Sequence, residues 1–238
     1  MLLVFVSCKK TKDETPSCLL TEINTGGLNY ILTYDGANMV AIGNGTSTGA
    51  LMHYNASGQM IQQERPLENP YTRFTYTYNN SGKVAKQITY FKEGPDWVYK
   101  GKVQYKYTDK QLTSIQEEST FNTSGTIYSY DITWTSGNLT TLTSRIGSQV
   151  LCNYTYSYNL KKKNNLNAVS DLYFIDLPDN FVKLPFYLST NLLTKADSNC
   201  SGTSNLIRLF TYTLDEKGLI RNVYEGNQPI WKFAYTCN

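Results

Sequence analysis

The residues that could do chemistry are few and poorly placed for it. Glu117-Glu118 and Asp13-Glu14 are paired carboxylates. Neighbours in a strand point to opposite faces, so Glu117 and Glu118 could not jointly flank a glycosidic bond. The single histidine, His53, sits just before a turn, and no G-x-S-x-G motif supplies a nucleophile for it. No cysteine pair has C-x-x-C spacing and none lies near His53, so no zinc site is expected. Lys161-Lys162-Lys163 could hold an anion, although such runs are commonly solvated loop tips. Rows of tyrosine with Trp97, Trp134 and Trp231 could stack on sugar rings. The same rings would also stabilise a sheet as cross-strand pairs. The reading is a protein without catalytic residues, metal or cofactor.

Positioning any of these groups falls to a repeat. Thr75-Tyr76-Thr77-Tyr78-Asn79-Asn80-Ser81-Gly82-Lys83-Val84 has counterparts in Ile31 to Val40, Met52 to Ile61 and Phe210 to Ile220. Weaker copies run from Gln104 to Leu112, from Ile132 to Leu139 and from Asn153 to Asn159. Alternation of Phe74, Tyr76 and Tyr78 with Arg73, Thr75 and Thr77 puts rings on one face of a strand and polar groups on the other. Asn or Asp then opens a turn, and Gly supplies the positive φ that a tight hairpin needs. The return strand steps by three between apolar residues, as in Leu112 to Ile115 and Leu139 to Leu142, which points to a bulge there. Two strands per copy predict about 14–16 strands. The fold class is all-β: one antiparallel meander of tandem Tyr-rich hairpins, either a strongly curved sheet or a closed up-and-down barrel.

A barrel of about 16 strands is wider than its own side chains fill. An open sheet would instead bare its tyrosine face. The material to cover that face is an insertion at about 160–204, where the rhythm stops and an apolar stretch includes Leu172, Phe174, Phe181, Leu184 and Phe186. Pro178 and Pro185 argue against one long helix there. A long segment inside a regular meander is either functional or a packing element, and we take it as packing.

The first eight residues read as a remnant of an export signal. The apolar run Met1 to Val6, with Ser7 before Cys8, resembles the end of a bacterial lipoprotein signal peptide, which implies lipid on Cys8 and attachment to a membrane through it. Residues 9–17, polar and containing Pro16, read as a flexible tether, and 18–238 as the repeat domain. No apolar run approaches the 18 or so residues of a membrane helix. A net charge of +3 excludes a strongly basic nucleic-acid surface, and no nucleic-acid partner is expected.

The Y-x-Y-[ND]-x-x-G-x-[LV] pattern resembles the tyrosine–aspartate (YD) repeats of RHS-type proteins. With the lipoprotein start, the chain resembles YD-like β lipoproteins of unknown function from Bacteroidota, as does the stretch Leu188-Ser189-Thr190-Asn191-Leu192-Leu193. The resemblance implies a cell-envelope lipoprotein, facing the periplasm or the surface, and brings no catalytic residues. Two functions follow: a non-catalytic module binding a glycan, peptide or partner protein, or a structural shell without a small ligand. A hydrolase is the least supported.

Four cysteines remain if Cys8 is lipidated, an even number suited to two disulfides in an exported protein. Tyr235 aligns with Tyr78, so Cys237 falls at the turn end of the last strand, and Cys18 falls where a return strand leaves its turn. If first and last strands meet, Cys18 pairs with Cys237, and Cys152 with Cys200 across the insertion. Lipidation is directly testable. Expressed behind a functional export signal, the wild type should incorporate labelled fatty acid and Cys8→Ser should not; equal labelling would remove the anchor.

Overall fold

The computed structural model describes residues 18–119, 126–166 and 184–237. Segments that alternate rings with hydroxyls form strands because such side chains suit a pleat with one wet face. β1 (Cys18–Thr25) is followed by β2 (Leu28–Asp35), β3 (Asn38–Gly43), β4 (Thr48–Tyr54), β5 (Met60–Arg65) and β6 (Thr72–Tyr78). Next come β7 (Val84–Glu93), β8 (Asp96–Thr108), β9 (Gln111–Ser119), β10 (Ile127–Thr135) and β11 (Asn138–Ile146). β12 (Gln149–Lys163) leads into the insertion, which returns through a short helix α1 (Leu184–Leu188) to β13 (Asn191–Cys200). β14 (Leu206–Leu214), β15 (Ile220–Glu225) and β16 (Gln228–Cys237) complete the chain. Among the described residues these sixteen strands form one closed barrel, each strand antiparallel to its sequence neighbours and β16 paired with β1. Closure, and not an open sheet, is the outcome, and it leaves no free edge.

The turns follow the motif. Asn55, Asn79 and Asp215 each accept, through Oδ1, the amides two and four residues on, at 2.9–3.0 Å. Both side chains present the same oxygen, which is why Asn and Asp interchange. Gly58, Gly82 and Gly218 follow at φ of +74°, +71° and +78°, where a side chain would be strained.

A bulge recurs in every return strand. Val40, Ile61, Ala85, Thr113, Thr140, Thr194, Arg221 and Thr21 are each skipped in the pairing, next to Tyr34, Tyr54, Tyr78, Tyr107, Trp134, Tyr158, Leu214 and Tyr235 respectively. The barrel is therefore eight copies of one hairpin. The eighth is split between the termini, β16 and β1, and the Cys18–Cys237 disulfide stands where its turn would be.

The inward positions nearest the motif turns are buried. On the even strands Leu32, Met52, Tyr76, Tyr105, Ile132, Tyr156, Phe210 and Phe233 are 3–6% exposed. Their return-strand neighbours Leu20, Met39, Met60, Val84, Leu112, Leu139, Leu193 and Ile220 are 0–6% exposed. The described ends of the insertion add to this core: Leu166, Leu184 and Phe186 are buried, and the Phe186 ring packs 5.0 Å from Phe210 and 4.8 Å from Trp231. Residues 167–183, the middle of the expected cover, lie outside the described residues.

Bulges bend each hairpin away from the next, so the ladders between hairpins stop short of the turn end. They end at Glu22, Ala41, Gln62, Ser114, Thr141 and Lys195. Two residues beyond each, an inward side chain of the following strand donates to the carbonyl left over. Tyr34 reaches Leu20, Tyr54 Met39, Tyr78 Met60 and Trp134 Leu112, at 2.7–2.8 Å. Tyr158 and Tyr212 do the same to Leu139 and Leu193. Burial pushes the Tyr158 and Tyr212 hydroxyls well above the ordinary tyrosine range, so both remain donors. Removing one such hydroxyl leaves a part-buried carbonyl unpaired, at roughly 1–3 kcal/mol. Tyr78→Phe should lower the unfolding free energy by that amount, read as a lower urea midpoint at an unchanged m-value, whereas Thr77→Val on the outer face should not.

Candidate functional site

The barrel separates the sequence candidates. Glu117 faces inward, opposite Val103, where the Tyr130 hydroxyl reaches it at 3.5 Å. Glu118 faces outward and pairs with Lys102 at 2.9 Å. The pair is thus divided by the sheet, as strand geometry requires. His53 is exposed on the outer wall, and among the described residues no three His, Cys, Asp or Glu side chains are grouped to hold a metal. Asp13, Glu14 and Cys8 lie outside the described residues.

The three tryptophans have three different fates. Trp231 is in the core against Phe186, so its ring is not available to a ligand from solvent. Trp134 points inward in the position of a repeat tyrosine, its N–H spent on Leu112. Only Trp97 is on the outer wall. There Arg73 lies 3.8 Å from its ring centroid, Lys92 5.2 Å, and Tyr71 meets it edge-on. The phase of the repeat carried this distinction, because Trp134 aligns with Tyr78 and Trp231 shares the phase of Tyr235, whereas Trp97 follows a Gly-Pro turn outside the motif.

Trp97 belongs to a polar cluster centred on Glu64. Gln62 donates to the carboxylate at 2.9 Å, Arg73 at 2.7 and 2.9 Å, and the Tyr71 hydroxyl donates to its other oxygen. Burial raises the Glu64 pKa, but the hydrogen bonds from Tyr71 and Arg73 and the charge of Arg73 outweigh it and hold the carboxyl below its usual range. The Tyr71 phenol is pushed up for the complementary reason, chiefly its bond to Glu64. Every strong acceptor in the cluster is engaged, so it is a brace across β5, β6 and the β7–β8 turn and holds no idle acid or base.

The second disulfide joins Cys152 to Cys200, which pair across β12 and β13. It lies at the end of that hairpin remote from the insertion and clasps its base, so it does not bracket and pin the insertion as expected. Side chains fasten the insertion instead. Asn164 donates to the carbonyls of Phe186 and Ser189, Asn165 to Gly218, and the Thr190 amide to Gly137. Ser189, fully buried, accepts the Leu139 amide and donates to Tyr158. A Cβ on Gly137 would lie 2.6 Å from Thr190 Oγ1, so the turn that receives the insertion requires glycine.

A cleft of about 270 Å³ opens beside the insertion, lined by Asn159, Lys162, Leu192, Thr194, Phe210, Thr211, Tyr212 and Leu214. It brings one member of the lysine run over an apolar floor, a juxtaposition invisible in sequence because Lys162 and Phe210 are 48 positions apart.

No protein-family model matches the chain, and no curated protein does. Its fold is similar to those of two solved structures. One is described as a porin-like protein from Bacteroides uniformis ATCC 8492, with TM-score 0.54, 15% identity, and 93% of this chain and 95% of that one covered. The other, a porin-like protein from Bacteroides vulgatus ATCC 8482, has TM-score 0.62, 16% identity, and coverage of 92% and 98%. At these identities the likeness is one of fold.

The Glu64 brace has a testable pH signature. A depressed carboxyl pKa contributes stability that is present above the unfolded-state value and lost as pH falls through the folded-state value. Between about pH 6 and pH 2.5, the wild type should lose more urea stability than Glu64→Gln, which cannot titrate there. Equal losses would show that the cluster does not stabilise the charged form.

Proposed function

We propose that the protein is a non-catalytic cell-envelope protein, tethered through lipid on Cys8, whose barrel is a sealed body and works by contact and not by conduction. The observation that carries this is the polarity of the wall. A membrane channel of this strand number turns apolar residues to lipid and polar ones to a wet lumen. This barrel departs from that pattern. Towards the motif turns its inward rings and aliphatic chains are buried, farther along the wall Arg208 and Glu225 pair on the inward face, and its outward positions include cross-strand ion pairs such as Lys102–Glu118 and Arg145–Asp131. A lysine or arginine facing lipid at mid-membrane costs about 2–4 kcal/mol, and several would stand there.

The porin-like description of the two structural relatives supports an envelope setting, and the YD-like repeat supports export. The wall's polarity argues that the common architecture serves a different physical end in this chain. Contacts with a glycan or protein partner fall on the outer wall and the turn end, since the described inward positions nearest the motif turns are packed.

Vesicle experiments separate contact from conduction. Purified protein should remain monodisperse without detergent and, added to liposomes loaded with a small fluorescent dye or a monosaccharide, should produce no efflux above background. Size-dependent efflux would overturn the reading.

A further inference from the structure

We propose that the cleft between β13 and β14 binds a small amphiphilic carboxylate, an apolar body of about eight to ten carbons with a single anionic head. The proposal deepens the contact reading above and rests on it. The cleft exists because the β12–β13 hairpin carries the insertion in place of a turn. The β13–β14 ladder stops at Lys195 and Leu209, and the next link between the two strands is the Tyr212 hydroxyl on the Leu193 carbonyl. In six hairpins a tight turn follows at this level and in the split one a disulfide stands there, but here β12 runs on into the insertion.

Its pairing skips from Asn159–Leu192 to Lys163–Asn191, so Leu160, Lys161 and Lys162 form an arch over the gap. The Asn191 side-chain amide donates to the carbonyls of Leu160 at 3.3 Å and Lys162 at 3.1 Å, which fixes the arch in place. Leu160 is 72% exposed at its crest, an apolar group offered to solvent beside the opening.

The lining sorts by polarity. Leu192, Phe210, Tyr212 and Leu214 make an apolar floor, and the Tyr212 hydroxyl is consumed by Leu193 and so adds no polar demand. Thr194, Thr211 and Asn159 lie on outward-facing positions of their strands, and Lys162 brings the one charge. No ion pair among the described residues neutralises that ammonium; the lysines so engaged are Lys100, Lys102 and Lys195. Of the lysine run, it is Lys162 that lines the cleft. A single lysine is a point charge suited to a monoanion, whereas phosphate esters are commonly met by forked guanidinium groups or several cations. The volume, about 270 Å³, is just under the usual range for drug-sized ligands and fits a short acyl chain or one substituted ring.

The test uses the described barrel with its insertion intact, titrated calorimetrically with sodium octanoate and, separately, with octanol. Octanoate should bind the wild type saturably. Lys162→Met should weaken octanoate by about five- to tenfold while leaving octanol binding unchanged, and Lys162→Arg should retain most of the affinity. Thr211→Trp, which fills the cleft from the solvent side, should abolish both. Absence of saturable octanoate binding below about 10 mM, or equal affinities for wild type and Lys162→Met, overturns the site. The two readings fail separately: a barrel that leaks solute from vesicles overturns the sealed-body reading, and a sealed barrel that ignores octanoate overturns the cleft alone.

Discussion

The structure depends on a hydrogen bond that no backbone ladder could make. A bulge in each return strand twists the hairpin, and twist is what lets sixteen short strands close. The same bulge carries the return strand away from the next hairpin, so a carbonyl is stranded at one end of the wall. An unpaired carbonyl in a half-buried site costs more than a typical hydrogen bond returns. The inward tyrosine resolves this because its ring is long enough to cross from one strand to the next, apolar enough to line the core, and tipped with a donor. Phenylalanine would pack and leave the carbonyl bare, and serine would donate but not reach. At Trp134 the indole N–H serves instead, which shows that the requirement is a buried ring with a donor at its end and is not tyrosine as such. Tyr107 and Tyr235, in the equivalent positions of β8 and β16, make no such bond among the described residues, and the Tyr235 hydroxyl is buried without a hydrogen-bond partner. Tyr235 is the more telling of the two. It sits in the split hairpin, where a disulfide holds the strands together and the bond is least needed.

That split hairpin shows how a linear chain becomes a ring of eight equal parts. Any chain that closes must begin and end inside one of its repeats, unless it begins at a turn. Here it begins with a return strand and ends with an outgoing one, so the first and last strands complete a hairpin without a turn. Cys18 and Cys237 replace the missing loop covalently. Linking residues 219 apart removes a large share of the unfolded chain's freedom, about 5.4 kcal/mol on the chain-entropy account. It also protects the one seam that would otherwise open to two unpaired edges.

Much of this was legible in the sequence, and what was legible was local. Phase alone placed Phe74, Tyr76 and Tyr78 on one face. The three-residue step from Leu112 to Ile115 located the bulge, and aligning Tyr235 with Tyr78 brought Cys237 to Cys18. Each of these inferences uses neighbours within one hairpin. The tyrosine-to-carbonyl bonds were not legible, because they depend on how far successive hairpins diverge, which is set by the whole closed ring. The tryptophans were misjudged as a group for a related reason. Ring type suggested one role for all three, while their phase relative to the repeat assigned Trp134 and Trp231 inward and Trp97 outward. The Cys152–Cys200 link was predicted as a pair, but its position at the base of the β12–β13 hairpin follows from register, not from flanking the insertion in sequence.

Six hairpins with tight turns, one split and one interrupted also explain why a candidate site exists at all. A perfectly repeating wall has equal gaps, each closed by its tyrosine and its tight turn, and it offers a ligand nothing distinctive. Replacing the turn of the β12–β13 hairpin with an insertion does two things at once. It sends Phe186 and Leu184 inward, where a ring of sixteen strands has more room than its own side chains occupy. It also frees β12 to run on to Lys163 and arch beyond its partner, opening the wall over Phe210 and Tyr212. Phe210 is common to both consequences, since one part of its ring packs on Phe186 inside and another floors the cleft. The segment whose described ends pack into the interior is therefore the one that breaks the symmetry of the exterior, and a binding surface on this barrel belongs beside it.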